Sequence, residues 1–237
     1  AVECFASDED ANNFFASVPQ AFPVGAAEIN TWNQAYARYS ELCAQRSGKL
    51  LNYVSTADVA RDMDLLRRAV GDPTMNYLGV SYGTILGAVY ANLFPDKVRA
   101  VVLDGNVAPS AWTNGNRNNV QLSITLRIGS DLGANEALKA FLTLCSQTTS
   151  NQCAFSAGSA EATQAKFNTL LERLKSQPII LNGYRFTYAM LLNSINGDLL
   201  VTRPIGGFKG WSHLGQVLET ALNAPPATPE NPGNTLV

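Results

Sequence analysis

The chain has 237 residues, 46% of them hydrophobic and 15% charged, with 17 Lys/Arg against 19 Asp/Glu for a formal charge of −2. That length supports a sizeable core in one or two domains, and so low a charged fraction argues for a folded chain and against disorder or a coiled coil. No Lys/Arg cluster marks a nucleic-acid surface or a polybasic membrane patch, and no apolar run approaches the ~20 residues that span a bilayer.

The four cysteines fall as Cys4 with Cys43 and Cys145 with Cys153, without the CxxC spacing of a zinc or dithiol site. Two disulfides formed in an oxidising compartment are expected; the alternative is four buried thiols in a cytosolic protein. No signal peptide is present, so a secreted protein would have lost it.

Ser55-Thr56-Ala57-Asp58 reads as a helix start, after which Val59, Met63, Leu66 and Val70 recur at helical spacing until Gly71-Asp72-Pro73 stops the helix. Met75–Val80 is an apolar run of strand length. Ser81-Tyr82-Gly83-Thr84 then leads into a small-residue-rich helical run over 85–94, which Pro95 ends, and Val98–Asp104 is a second strand bounded by Gly105. Strand, helix, strand in that order is a βαβ unit and predicts a parallel sheet in an α/β fold. Residues 106–119 read as a linker leaving the sheet. Beyond it, 135–145, 160–176 and 211–223 show helical periodicity, and only 178–181 and 199–201 suggest strands. Trp112, Tyr184, Phe186, Tyr188, Phe208 and Trp211 would pack the second half, with lining of a substrate pocket as the other possibility. The tail over 224–233 holds Pro225, Pro226, Pro229 and Pro232 and is expected to be exposed, extended and open to cleavage.

Gly79-Val80-Ser81-Tyr82-Gly83 matches G-x-S-x-G, in which a sharp strand-to-helix turn holds the serine in strained geometry above the sheet edge. The glycines at 79 and 83 are required because strand and helix pass too closely for side chains there. Ser81 is the candidate nucleophile, and the Tyr82 N–H at the helix start is a candidate oxyanion donor. The plainer alternative makes Gly79 and Gly83 ordinary turn residues and Ser81 an N-cap. A phosphate loop is excluded, since no lysine follows Gly83. Nothing in the sequence calls for a metal or a cofactor.

These residues also carry a family resemblance. Asp58-Val59-Ala60-Arg61-Asp62-Met63-Asp64, Leu78-Gly79-Val80-Ser81-Tyr82-Gly83-Thr84, Phe94-Pro95 and Leu103-Asp104-Gly105 resemble the secreted tripeptidyl-aminopeptidase-like serine hydrolases of the α/β-hydrolase fold. Cys4 and Cys43 resemble that family's early disulfide, and the helical second half resembles its cap. The resemblance implies an exopeptidase that releases short N-terminal peptides or single residues, with Ser81 as nucleophile.

The departures matter equally. A family member carries a glycine-rich oxyanion loop upstream, and nothing like it occurs before Tyr53. It also carries an acid and then a histidine after late sheet strands, whereas this chain has one histidine, His213. His213 would serve as base if 199–201 were a last strand, with Asp198 or Asp104 as orienting acid. Against that, Trp211-Ser212-His213-Leu214 resembles a cap-helix motif in which the histidine position varies. Asp104 ends a strand at the edge where ligands bind in open α/β folds, and is expected to hydrogen-bond loop backbone near the elbow.

The expected architecture is therefore a partial α/β-hydrolase sheet with a mostly helical cap: 1–108 as hydrolase core, 109–237 as cap with its tail. The expected function is a secreted serine hydrolase acting on a peptide or small acyl substrate. Its base, acid and second oxyanion donor would come from other chains of the same precursor or from a missing segment. Alternatives are an esterase, lipase or thioesterase of the same fold, or a non-catalytic binding protein that retains it.

Overall fold

The computed structural model describes residues 1–19 and 21–234. In chain order they form α1 (Asp8–Ala16), α2 (Gly25–Leu51), α3 (Thr56–Ala69), β1 (Met75–Val80), α4 (Tyr82–Leu93), β2 (Val98–Asp104), α5 (Pro109–Thr113), α6 (Ile124–Arg127), α7 (Ser130–Ser146), α8 (Ala160–Ser176), β3 (Ile179–Leu181), β4 (Tyr184–Phe186), α9 (Tyr188–Leu199) and α10 (Gly210–Asn223). The chain divides into two compact units, one of Ala1–Cys4 with Ser40–Asp131, the other of Phe5–Tyr39 with the described residues from Leu132 onward.

The first unit holds the βαβ element. The Ser55 hydroxyl caps α3 by accepting from the Asp58 N–H at 3.2 Å, which satisfies an amide that helix geometry leaves open. β1 and β2 pair in parallel, with Val80 opposite Asp104. Their Tyr77, Gly79, Val101 and Leu103 side is the more covered, and α4 packs against both strands and against α3. The buried Asp64 joins the two helices, accepting from Arg67 Nε at 2.9 Å and from the Tyr90 hydroxyl at 3.2 Å. On the other side of the sheet Leu78, Val80 and Val102 are 68%, 60% and 59% exposed. Cys4 and Cys43 are bonded, which ties the N-terminal segment to α2.

The second unit is mainly helical. Phe155, Leu170, Leu191, Leu214 and Leu218 are fully enclosed at its centre, and the bonded Cys145 and Cys153 lie in the same core. In the N-terminal part of the unit Phe5, Phe14, Phe15 and Tyr39 cluster, with ring centroids 5.2–5.9 Å apart.

Expectations change at three places, and the strand expected near 178–181 is found with a partner. Residues 199–201 are not a strand: the Thr187 hydroxyl caps α9 and the helix carries Leu191, Ile195 and Leu199 into the core, so Leu199 ends a helix. The strand near 178–181 is half of a hairpin, β3–β4, turned by Asn182 (φ +52) and Gly183 (φ +83). Asn-Gly between short apolar runs is the sequence signal for that turn. The proline-rich tail is extended but docked. The Ile180 N–H donates to the Pro225 carbonyl at 2.8 Å, the Ala227 N–H to Pro178, and the Arg185 N–H to Asn234. A proline lacks a donor but keeps its acceptor, so it serves at such an edge. Finally, the division differs from 1–108 and 109–237. Residues 5–39 cluster with the second half, and 109–131 stay with the elbow, where the Trp112 ring packs on Tyr82.

Candidate active site

The turn between β1 and α4 places Ser81 in a conformation that L residues avoid, with φ +55° and ψ −122°. A β-carbon on Gly79 would run into the carbonyl of Gly83, while one on Gly83 would meet only the Tyr77 hydroxyl at 3.3 Å. Close passage of strand and helix therefore requires glycine strictly at 79 and less strictly at 83. The turn is anchored from several sides. The Ser81 N–H donates to the Asp104 carbonyl at 3.0 Å, the Tyr77 hydroxyl to the Gly83 carbonyl at 2.7 Å, and the Thr84 hydroxyl to the Ser81 carbonyl at 2.7 Å. Burial pushes the Tyr77 phenol above its usual range, with the neighbouring Tyr82 adding to it, so the phenol stays protonated and a donor.

Ser81 occupies the N-cap position, yet its side chain makes no cap hydrogen bond, and the hydroxyl has no partner among the described residues. This geometry is not that of an N-cap serine, whose oxygen is engaged by the first turn. Tyr82 is the first residue of α4, so its N–H belongs to the set that has no intrahelical acceptor and lies at the positive end of the helix. The Tyr82 hydroxyl shares a 2.7 Å hydrogen bond with the Thr56 hydroxyl, and its ring centroid lies 5.5 Å from that of Trp112. Neither Thr56 nor Tyr77 was singled out by sequence pattern. No short motif links them to the elbow, because both contacts form only when strand, helix and loop converge.

Asp104 contributes through its main chain. Its carbonyl holds the Ser81 amide, while its exposed carboxylate makes no hydrogen bond among the described residues. Asp104 does hydrogen-bond backbone at the elbow, and it does so through its own carbonyl, next to the parallel pairing of Val80 with Asp104.

His213 lies within α10 in the second unit. Its Nδ1 is 2.8 Å from Asp198 Oδ2, and its Nε2 is 3.5 Å from Lys209 Nζ. Asp198 is buried near the end of α9, so the pair joins two helices, and His213 does not follow a strand at 199–201. Among the aromatic residues, Tyr188 lines a cavity of about 570 Å3 within this unit together with Val18, Glu28, Lys175 and Arg185. Trp211 lines one of about 160 Å3 beside the Cys145–Cys153 bond. Among the described residues no three His, Cys, Asp or Glu side chains stand close enough to hold a metal ion. No described helix is long and apolar enough to cross a membrane.

Residues 36–125 match the family described as alpha/beta hydrolase fold. That segment has the α/β-hydrolase fold. A tripeptidyl aminopeptidase of Streptomyces lividans is 50% identical over 98 residues, 40% of this chain and 18% of that protein. Serine protease Hip1 of Mycobacterium tuberculosis is 50% identical over 70 residues, 29% of this chain and 14% of that protein. YuaR of Escherichia coli is 25% identical over 162 residues, so weaker similarity reaches across 68% of the chain and 30% of that relative. The chain thus matches well under half the length of each of these relatives.

Proposed function

We propose that this chain carries the nucleophile of a secreted serine peptidase that releases residues or short peptides from amino termini. The observation that carries the reading is the state of Ser81: held at positive φ between strand and helix, hydroxyl unengaged, with the Tyr82 N–H beside it at a helix start. Peptidase chemistry, rather than ester hydrolysis on the same machinery, is supported by the similarity to the Streptomyces tripeptidyl aminopeptidase and the Mycobacterium serine protease. The two disulfides support an oxidising compartment.

In this reading the Ser81 oxygen attacks the scissile carbonyl while a general base takes its proton, and the resulting oxyanion accepts from the Tyr82 N–H. Collapse expels the amine, which receives the proton from the protonated base, and leaves an acyl-enzyme that water hydrolyses. The base, the orienting acid and a second oxyanion donor are supplied by polypeptide other than the described residues. Two features support this. The only histidine is engaged with Asp198 in the helical unit. The row Leu78, Val80 and Val102 stands bare on a parallel sheet, a kind of sheet that proteins cover on both faces.

The test is fluorophosphonate labelling of the native protein followed by mapping of the adduct. A label on Ser81 that disappears in Ser81→Ala, with release of product from tripeptidyl or aminoacyl chromogenic substrates, is the expected result. An unlabelled Ser81 in a folded protein would overturn the assignment, and turnover of p-nitrophenyl esters alone would replace peptidase by esterase.

A further inference from the structure

Two segments distant in sequence meet at the side chain of Tyr82. The Thr56 hydroxyl, from the first turn of α3, lies 2.7 Å from the Tyr82 hydroxyl. Thr56 is free to make this contact because Ser55, not Thr56, caps α3. On α5, the Trp112 ring packs on the Tyr82 ring at 5.5 Å with planes inclined by 38°. Trp112 is itself held, since its carbonyl accepts from Arg127 Nη2 on α6 at 3.2 Å.

The consequence lies in the backbone. The direction of the Tyr82 N–H is set by rotation of the peptide plane between Ser81 and Tyr82, that is, by ψ of Ser81 and φ of Tyr82 acting together. Ser81 sits at φ +55° and ψ −122°, from which relaxation toward an ordinary conformation would swing that plane. Strained residues persist only where their surroundings over-determine them. The carbonyl of Asp104 fixes the plane before Ser81. The plane after it is held at the Ser81 carbonyl, which accepts from the Thr84 hydroxyl at 2.7 Å and the Thr84 N–H at 2.9 Å, and on its other side through Tyr82, whose side chain is gripped at its ring face and at its hydroxyl.

We infer that Thr56 and Trp112 are positioning residues, which aim the Tyr82 N–H at the developing oxyanion and keep Ser81 in its strained conformation. This rests on the reading of Ser81 as nucleophile and of the Tyr82 N–H as oxyanion donor. Both act through Tyr82. Their loss lowers the rate of the chemical step and leaves substrate binding unaltered, because an oxyanion donor is engaged more strongly in the transition state than in the ground state.

The experiment compares wild type, Thr56→Val, Thr56→Ser, Tyr82→Phe, Trp112→Phe and the Thr56→Val/Tyr82→Phe pair in the native enzyme. It reads the second-order rate of Ser81 labelling by a fluorophosphonate, and kcat and KM on a peptide substrate. Thr56→Val and Tyr82→Phe should each slow labelling and lower kcat about five- to tenfold, the size of one neutral hydrogen bond, with KM unchanged. The double variant should lose no more than either single one, because both remove the same bond. Thr56→Ser should keep wild-type rates, and Trp112→Phe should keep most of the rate by retaining a ring face. Wild-type labelling and turnover in Thr56→Val, an effect on KM alone, or additive losses in the double variant would each overturn the inference. Failure of wild type to label at Ser81 would instead remove the nucleophile reading, and the inference with it.

Discussion

The Tyr77 hydroxyl donates to the carbonyl of Gly83 across the elbow at 2.7 Å, so a residue inside β1 closes the first turn of α4. The same ring fills the space beside Gly79 and Gly87, where added β-carbons would meet Tyr77 ring atoms. Gly79→Ala should therefore destabilise the fold by about 2–3 kcal/mol, the range for overpacking against backbone that has no room to shift. Tyr77→Phe should cost only about 1 kcal/mol, one hydrogen bond. Urea midpoints check both, and a Gly79→Ala midpoint equal to wild type would show that strand and helix separate more easily than their geometry implies.

Ser81 trades stability for its exposed position. Glycine adopts its φ of +55° without steric penalty, so Ser81→Gly should raise stability by about 1 kcal/mol while abolishing fluorophosphonate labelling. Ser81→Ala should abolish labelling equally and leave stability near wild type, since the hydroxyl has no partner to lose. Thermal denaturation of the three proteins side by side tests this, and equal melting temperatures for Gly and Ser would show that the turn holds no strain.

Asp64 links stability to acid. The Arg67 hydrogen bond is the main reason its carboxyl is held below the usual range; burial opposes this, while the Arg67 and Arg68 charges and the Tyr90 hydroxyl reinforce it. A folded carboxyl that titrates below its unfolded value, about 3.9, binds fewer protons than the unfolded chain in that window. Its contribution is thus complete above about pH 4 and lost as pH falls through the folded value. Melting temperatures taken from pH 6 down to pH 2 should fall more steeply for wild type than for Asp64→Asn. Parallel curves would mean that other carboxylates, such as Asp58 held low by the Ser55 hydroxyl, dominate acid unfolding.

His213→Ala leaves the buried Asp198 carboxylate without its ring partner. Stability should fall by about 1–3 kcal/mol, the cost of an unpaired buried polar group, whereas labelling of Ser81 should proceed at the wild-type rate. Loss of labelling in a folded His213→Ala protein would identify His213 as the base after all.

Much of the hydrolase segment was legible because its signals are local. A hydroxyl three residues before an amide makes a cap, an apolar run between turn residues makes a strand, and glycine two positions before a serine marks a close strand-to-helix crossing. Ser55, the run Met75–Val80 and Gly79 each carry their structural reason within a few residues. The Asn182-Gly183 turn is an equally local signal, but each arm it joins is only three residues long, too short to show an alternating pattern.

By itself, then, the sequence determined the βαβ unit, the elbow and the residue poised in it, through steric and hydrogen-bonding rules that act between near neighbours. Only the tertiary structure decided what surrounds them. It paired His213 with Asp198, brought Thr56 and Trp112 onto Tyr82, laid the proline-rich tail along β3 and β4, and grouped residues 5–39 with the helical unit. Each of these contacts joins residues 15 to more than a hundred positions apart, and such pairings are fixed by which apolar faces bury together, a condition that the whole chain satisfies at once and no single segment records.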